Sequence, residues 1–103
     1  MKDQLIMDFA MNLTRVGNWA ADDFVGKKSR ILQFLRQTDE YFRRVNTANY
    51  SPTLEKTLQS FRPTYQRLVK EAEMTPGDPL AWAESMMTWG NILTHRAKLT
   101  ERA

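Results

Sequence analysis

Residues 51–72, SPTLEKTLQSFRPTYQRLVKEA, show most clearly which secondary structure the chain forms. Helices repeat about every 3.6 residues, whereas half-buried strands repeat every second residue. In this stretch the apolar residues recur at intervals of three and four without a slip in phase, so it predicts one helix with one apolar face. The residues of that face are Leu54, Leu58, Phe61, Tyr65, Leu68 and Ala72.

Every other long segment repeats at the same spacing, which predicts an all-α protein. Ser51 before Pro52 and Asp78 before Pro79 are typical of an N-cap and a first helical residue, where the missing N–H of proline costs nothing. The predicted helices are roughly residues 3–21, 27–46, 52–74 and 79–99. A chain of 103 residues without repeats or linkers predicts a single domain, residues 1–103, folded as an antiparallel four-helix bundle with up-down-up-down topology. An obligate dimer of helical hairpins would show the same pattern.

The end of the first helix has two possible positions. The apolar phase runs almost unbroken over residues 6–45, but a single helix of about forty residues is far longer than usual. A break must therefore fall between Gly17 and Gly26. We favour residues 22–26, and the competing site is Gly17-Asn18.

Pro63 lies inside the third predicted helix and points away from its apolar face. Proline cannot donate a hydrogen bond to the carbonyl of Gln59, so we predict a kink near Pro63, with a break into two short helices as the alternative.

Small residues form a strip on two of the predicted helices. Ala83, Gly90 and Ala97 are spaced seven apart on the fourth helix, and Ala10 and Gly17 offer a matching strip on the first. A ridge of small side chains lets another helix approach closely. We therefore expect the first and fourth helices to be in contact there.

Composition limits the class of protein. Hydrophobic residues make up 42% of the chain and charged residues 26%, which is typical of a soluble globular protein. No apolar run is long enough for a membrane span, and the N-terminal residues lack the layout of a signal peptide. With no cysteine there are no disulfides or thiolate metal sites. We therefore predict a cytoplasmic location and no membrane partner.

Catalytic groups are sparse. The only histidine, His95, lies with Glu84 on a helix face turned away from the tryptophans. These two residues are three helical turns apart, which is too far for them to share a metal ion or a proton. Asp39 and Glu40 stand four residues before two arginines, which favours surface ion pairs. Asp22-Asp23 is typical of a turn or an N-cap. We predict that the protein is not an enzyme and has no metal site and no cofactor.

The second predicted helix has the most informative surface. Residues 24–46 contain six basic and two acidic side chains, a net charge of +4. Arginines and aromatic residues alternate there at helical spacing, as they do in binding hot spots. The predicted partner-binding strip is Arg30, Phe34, Gln37, Tyr41 and Arg44. In the alternative interpretation, the two aromatic residues only widen the core face and the arginines are solvated.

These observations predict a small, non-enzymatic helical interaction module that binds a protein partner or associates with its own copies. The alternative is a regulatory protein that binds nucleic acid through the basic second helix, with the aromatic residues stacking on bases and the arginines pairing with phosphates. The alternative is weaker, because a protein that coats nucleic acid usually has a denser basic stripe.

Overall fold

The computed structural model describes residues 2–47 and 50–102, with the side chains of residues 4–45 and 50–98. This part of the chain forms three helices and no strand: α1 (Lys2–Thr47), α2 (Pro52–Glu73) and α3 (Pro79–Arg102). The predicted all-α class is confirmed. The predicted four-helix bundle with up-down-up-down topology is wrong, because its first two helices are a single helix, α1.

Helix α1 is sharply bent at Asp23, whose backbone angles (φ −166°, ψ 86°) are not helical. A straight helix of 46 residues would be about 69 Å long. The longest dimension of the molecule is only 42 Å. The rings of Phe9 and Phe42 stack with their centroids 5.4 Å apart. Helix α1 therefore folds back on itself, and we call residues 2–22 the N-arm and residues 24–47 the C-arm.

The side chain of Asp23 caps the C-arm. Its Oδ1 accepts a hydrogen bond of 3.0 Å from the backbone N–H of Gly26, as an N-cap residue does for the first turn of a helix. A Cβ at position 26 would collide with this carboxylate, so glycine leaves room for the cap. The predicted break at residues 22–26 is in the right place, and Gly17-Asn18 lies inside the N-arm. The number of helices was wrong because a single capping residue replaces the expected loop.

The N-arm and α3 approach each other along small residues, which confirms the predicted contact. A Cβ on Gly17 would lie 3.0 Å from the carbonyl oxygen of Ala83, and one on Gly90 would lie 3.0 Å from the carbonyl oxygen of Ala10. Because the earlier residue of the N-arm meets the later residue of α3, the two helices are antiparallel. We call Ala10, Gly17, Ala83 and Gly90 the small-residue seam.

Helix α2 packs against the rest of the molecule through large side chains. The ring centroid of Phe9, in the N-arm, lies 6.0 Å from that of Phe61 and 5.5 Å from that of Tyr65. Phe42 of the C-arm lies 4.4 Å from Tyr65, and Trp89 of α3 lies 4.7 Å from Phe61. Aromatic rings therefore separate α2 from its neighbours, whereas the small-residue seam brings backbones together.

The predicted starts of α2 and α3 are confirmed. Ser51 Oγ accepts a hydrogen bond of 3.3 Å from the N–H of Leu54, and Asp78 Oδ1 accepts one of 3.1 Å from the N–H of Ala81. Helix α2, the third predicted helix, is helical throughout. Pro63 is exposed within it and does not break it.

The apolar faces predicted from helical spacing form one core. Its largest fully buried side chains come from all three helices: Ile6, Phe9, Leu13, Val16, Ile31, Leu35, Leu54, Leu58, Phe61, Leu68, Met86 and Leu93. Among the described residues, no helix has an apolar stretch long enough to cross a lipid bilayer.

Candidate partner-binding face

The five residues of the predicted binding strip lie along the C-arm and differ in exposure. Arg30, Gln37 and Arg44 are exposed. Phe34 and Tyr41 are half-buried and pack against the core. The aromatic residues therefore widen the core, as in the alternative interpretation, while each still presents part of its surface. The binding role of the strip stays a prediction.

Two residues of the N-arm, Arg15 and Trp19, meet this strip. The guanidinium carbon of Arg15 lies 5.6 Å from the ring centroid of Phe34, and that of Arg30 lies 5.6 Å from the ring centroid of Trp19. The rings of Trp19 and Phe34 meet edge to face, with centroids 5.2 Å apart and an interplanar angle of 82°. Each ring thus has a cation over it and another ring against it. We call these four residues the arginine–aromatic face.

The two arginines of this face are available to an external anion. Both are exposed, and neither forms an ion pair with a carboxylate in the described part of the chain. A guanidinium that stacks on a ring can still direct its N–H groups outward to a carboxylate or phosphate. Hydrogen bonds of this charge-assisted kind are about twice as strong as neutral ones. The arrangement is therefore suited to recognising anionic groups.

Arg15 and Trp19 are absent from the strip predicted from sequence. The signal that could have found them is a repeated spacing, since Arg15 precedes Trp19 by four residues just as Arg30 precedes Phe34 by four. Helical spacing places each arginine beside its own aromatic residue. The cross-contacts between the two pairs depend on the bend at Asp23, which brings the N-arm against the C-arm.

A shallow groove of about 380 Å³ borders the arginine–aromatic face, between the N-arm and α3. Met11, at its edge, is 54% exposed and offers an apolar contact beside the cations. Apolar surface next to charged groups is what a peptide with both kinds of side chain would need. The groove is lined by Met11, Thr14, Arg15, Asn18, Trp19 and Thr94.

A larger groove, of about 840 Å³, lies between the C-arm and α2. At its floor the hydroxyl of Tyr65 donates a hydrogen bond of 2.6 Å to Asp39 Oδ1. Burial of the phenol, followed by this bond and the negative charge of Asp39, raises the pKa of Tyr65 far above its usual range. Arg43 and Arg67, on its rim, each pair with a glutamate of their own helix. Tyr65, Asp39, Arg43 and Arg67 therefore each already have a polar partner within the protein.

Other acidic side chains have local structural roles. Asp22 pairs with Lys27 at 2.5 Å, and the hydrogen bond and charge of that lysine lower the pKa of Asp22. Glu40 pairs with Arg43 at 2.8 Å, three residues on rather than at the predicted spacing of four, and Asp39 accepts the hydrogen bond from Tyr65. His95 and Glu84 are both exposed on α3. The described residues contain no group of three histidine or acidic side chains that could hold a metal ion.

Comparison with known proteins does not assign the chain to a family. None of the family models, curated proteins or solved structures that were compared with it matches. What the chain does must therefore follow from the chemistry of its own surfaces.

Proposed function

We propose that this chain is a small, non-enzymatic interaction module that binds an acidic segment of a protein partner through the arginine–aromatic face. The observation that carries this proposal is the pair of stacked guanidinium groups, Arg15 over Phe34 and Arg30 over Trp19. An arginine held against a ring has already lost part of its side-chain freedom, so binding a carboxylate costs less entropy. Two such arginines, each on one of two rings that touch, form a pre-organised site for two carboxylates.

A regulatory protein that binds nucleic acid is the second candidate, favoured by the net charge of +4 in residues 24–46. Binding of single strands relies on bases that stack on aromatic rings and on a series of phosphate contacts. Trp19 and Phe34 are each already covered by an arginine and meet each other edge to face. Arg43, on the same arm, is neutralised by Glu40. These contacts favour the carboxylates of a protein over the phosphates of a nucleic acid.

The proposal includes no metal ion, cofactor or membrane partner. We expect the module to act in the cytoplasm, because a chain without cysteine gains nothing from an oxidising compartment.

The test is a pair of titrations at low ionic strength, one with a labelled glutamate-rich peptide and one with a single-stranded oligonucleotide of equal length. Fluorescence anisotropy gives both dissociation constants, and the Nε–H resonances of the arginines locate the contact. We expect the peptide to bind more tightly and to shift the resonances of Arg15 and Arg30. The double variant Arg15→Gln with Arg30→Gln should weaken peptide binding by about tenfold or more, because it removes two charge-assisted hydrogen-bond donors.

The matched control is Lys56→Gln with Lys98→Gln, which removes two exposed cations from α2 and α3. It lowers the net charge by the same amount and should leave most of the affinity, since neither lysine belongs to the arginine–aromatic face and each supplies only a long-range attraction that weakens with distance. Equal loss of affinity in both double variants, or no binding of the peptide, would contradict the proposal. Tighter binding of the oligonucleotide would favour the second candidate.

A further inference from the structure

We infer that the bend at Asp23 is a hinge, and that two copies of this chain exchange their N-arms to form a dimer in which each α1 is straight. In that dimer the N-arm of one copy packs against the C-arm, α2 and α3 of the other. The contacts that bury the N-arm within one chain are then remade between two chains, as in domain swapping. This dimer is independent of the proposed binding to an acidic partner.

The apolar face of α1 continues through the hinge. Ala20, Phe24, Ile31 and Leu35 are all buried, and they keep intervals of four and seven across Asp23. In a straight helix residues at this spacing lie on one face. The same side chains therefore suit both the bent and the straight helix.

Only the backbone of Asp23 has to change. Its φ of −166° is ordinary extended backbone, and a change to helical angles joins the two arms. Straightening breaks the capping bond from Gly26. It also gives the first N–H groups of the C-arm helical acceptors, which they lack at a helix start. Bent and straight forms thus differ by few hydrogen bonds.

The register of the arms is compatible with a two-fold axis. Phe9 contacts Phe42, and Trp19 contacts Phe34. In each pair, the two residues lie almost equally far from Gly26 along the sequence, one before it and one after it. Two straight, antiparallel copies of α1 would keep these contacts, with Phe9 of one copy against Phe42 of the second. The axis would then pass near Gly26, where the missing Cβ allows a close crossing.

The connection between α2 and α3 lies at the same end of the molecule as the bend at Asp23. Lys28 Nζ donates a hydrogen bond of 2.6 Å to Thr75 Oγ1, which joins the start of the C-arm to this connection. The ring of Phe24 lies 5.3 Å from that of Trp82, near the start of α3. In the exchanged dimer, this end of one copy faces the same end of the other.

Exposed apolar side chains mark this end as the surface that a second copy covers. Val25 is 74% exposed, Met74 83% and Leu80 56%. They lie next to the contacts that join the C-arm, the connection and α3. Of the four large apolar side chains that stand out as exposed among the described residues, only Met11 lies elsewhere. A second copy that continues the interface between the two arms would cover all three.

The first experiment compares sedimentation equilibrium of the full chain with that of two variants. Asp23→Ala removes the cap and favours the straight helix, so we expect the dimer association constant to rise by about tenfold or more. Asp22→Ala is the control, because it removes the ion pair with Lys27 and leaves the cap. A Gly-Ser-Gly-Ser insertion between Asp22 and Asp23 keeps the cap, lengthens the hinge and should leave only monomer.

The second experiment separates exchange from simple side-by-side association. Spin labels on Met11→Cys and Gln37→Cys are measured in chains diluted with unlabelled protein. The bent chain keeps the labels within about one 20 Å width of the molecule. A straight α1 separates them by about 39 Å, the length of 26 helical residues.

We expect the natural chain or Asp23→Ala to form a dimer in which the two spin labels of one chain are separated by the longer distance. A chain that stays monomeric at every concentration, a dimer with the short distance, or equal dimerisation of the insertion variant would overturn the inference. The natural chain and the insertion variant decide the question if Asp23→Ala does not fold.

Discussion

Gly90 shows how little space separates the N-arm from α3. A Cβ at this position would lie 3.0 Å from the carbonyl oxygen of Ala10 and would collide with Thr14 Oγ1. The neighbouring backbone cannot withdraw without moving a helix, because protein interiors are close-packed. One methyl group therefore decides how closely the two helices can pack.

We predict that Gly90→Ala lowers the free energy of unfolding. Alanine is the better helix former by about 1 kcal/mol. Overpacking at this contact costs about 1 to 3 kcal/mol, so the net effect should be a loss of up to about 2 kcal/mol. Chemical denaturation followed by circular dichroism measures the difference.

Asn91→Ala is the control for helix propensity, because Asn91 is the next residue of α3 and is exposed. It should leave stability unchanged or raise it by a few tenths of a kcal/mol. Combining Gly90→Ala with Thr14→Ala should recover part of the loss, since it removes one of the colliding side chains. If Gly90→Ala were as stable as the natural chain, the seam would be looser than described.

At the scale of helices, Tyr65 and Asp39 form the polar link between α2 and the C-arm. Burial of the phenol, with Asp39 as the second cause, raises the pKa of Tyr65 in the folded protein above its ordinary value of 10.0. Above about pH 10 the unfolded chain loses the phenol proton while the folded chain keeps it. The contribution of Tyr65 to stability is therefore fully present below pH 10 and is lost as the pH rises further.

We predict a steeper loss of stability above pH 10 in the natural chain than in Tyr65→Phe. The difference in slope should approach 1.4 kcal/mol per pH unit, the value for one proton. Denaturation at a series of alkaline pH values measures it, and the comparison cancels the titration of the lysines. Asp39→Asn should keep most of the slope, because burial is the larger cause. Parallel curves for the natural chain and Tyr65→Phe would refute the prediction.

The helices and their starts could be predicted from sequence because their signals are local. Apolar spacing and the caps at Ser51 and Asp78 need no knowledge of the rest of the fold. The small-residue seam could also be predicted, since Gly90 inside a helix is costly unless something packs there. The number of helices could not, because whether Asp23 ends α1 or bends it depends on one residue's backbone angles.

The candidate site was only half predictable for a related reason. Arg30 and Phe34 share one arm, so helical spacing alone places them together. Arg15 and Trp19 join them through the register of the bent helix, and a contact between residues 15 and 34 has no local signature. The contacts of Arg15 and Trp19 with the C-arm therefore depend on how the whole chain folds.

Over the whole molecule, packing is uneven. The N-arm and α3 meet at the small-residue seam, where backbones are close. Helix α2 meets the C-arm across grooves of about 840 and 140 Å³. Fewer close contacts usually mean that a segment opens more easily. We therefore expect the N-arm and α3 to stay packed together while α2 opens more easily.

We predict that amide hydrogen exchange in native conditions is faster in α2 than in the buried turns of the N-arm and α3. Helix α2 should open in a partial unfolding step, whereas amides beside Gly17 and Gly90 should exchange only on global unfolding. Exchange at increasing low denaturant concentrations, read by NMR, separates the two classes. Equal opening free energies in all three helices would show that the molecule unfolds as a single unit.

The contrast between the two kinds of packing also bears on how the sequence can drift over generations. At Gly17 and Gly90 an added Cβ meets the backbone of the facing helix, so selection should hold these two positions to glycine, and the fully buried positions 10 and 83 to small residues. Around α2 the contacts are between large rings, where exchanges of similar volume are tolerated better. In descendants of this chain, we therefore expect few substitutions at the small-residue seam and more among the aromatic residues of the core.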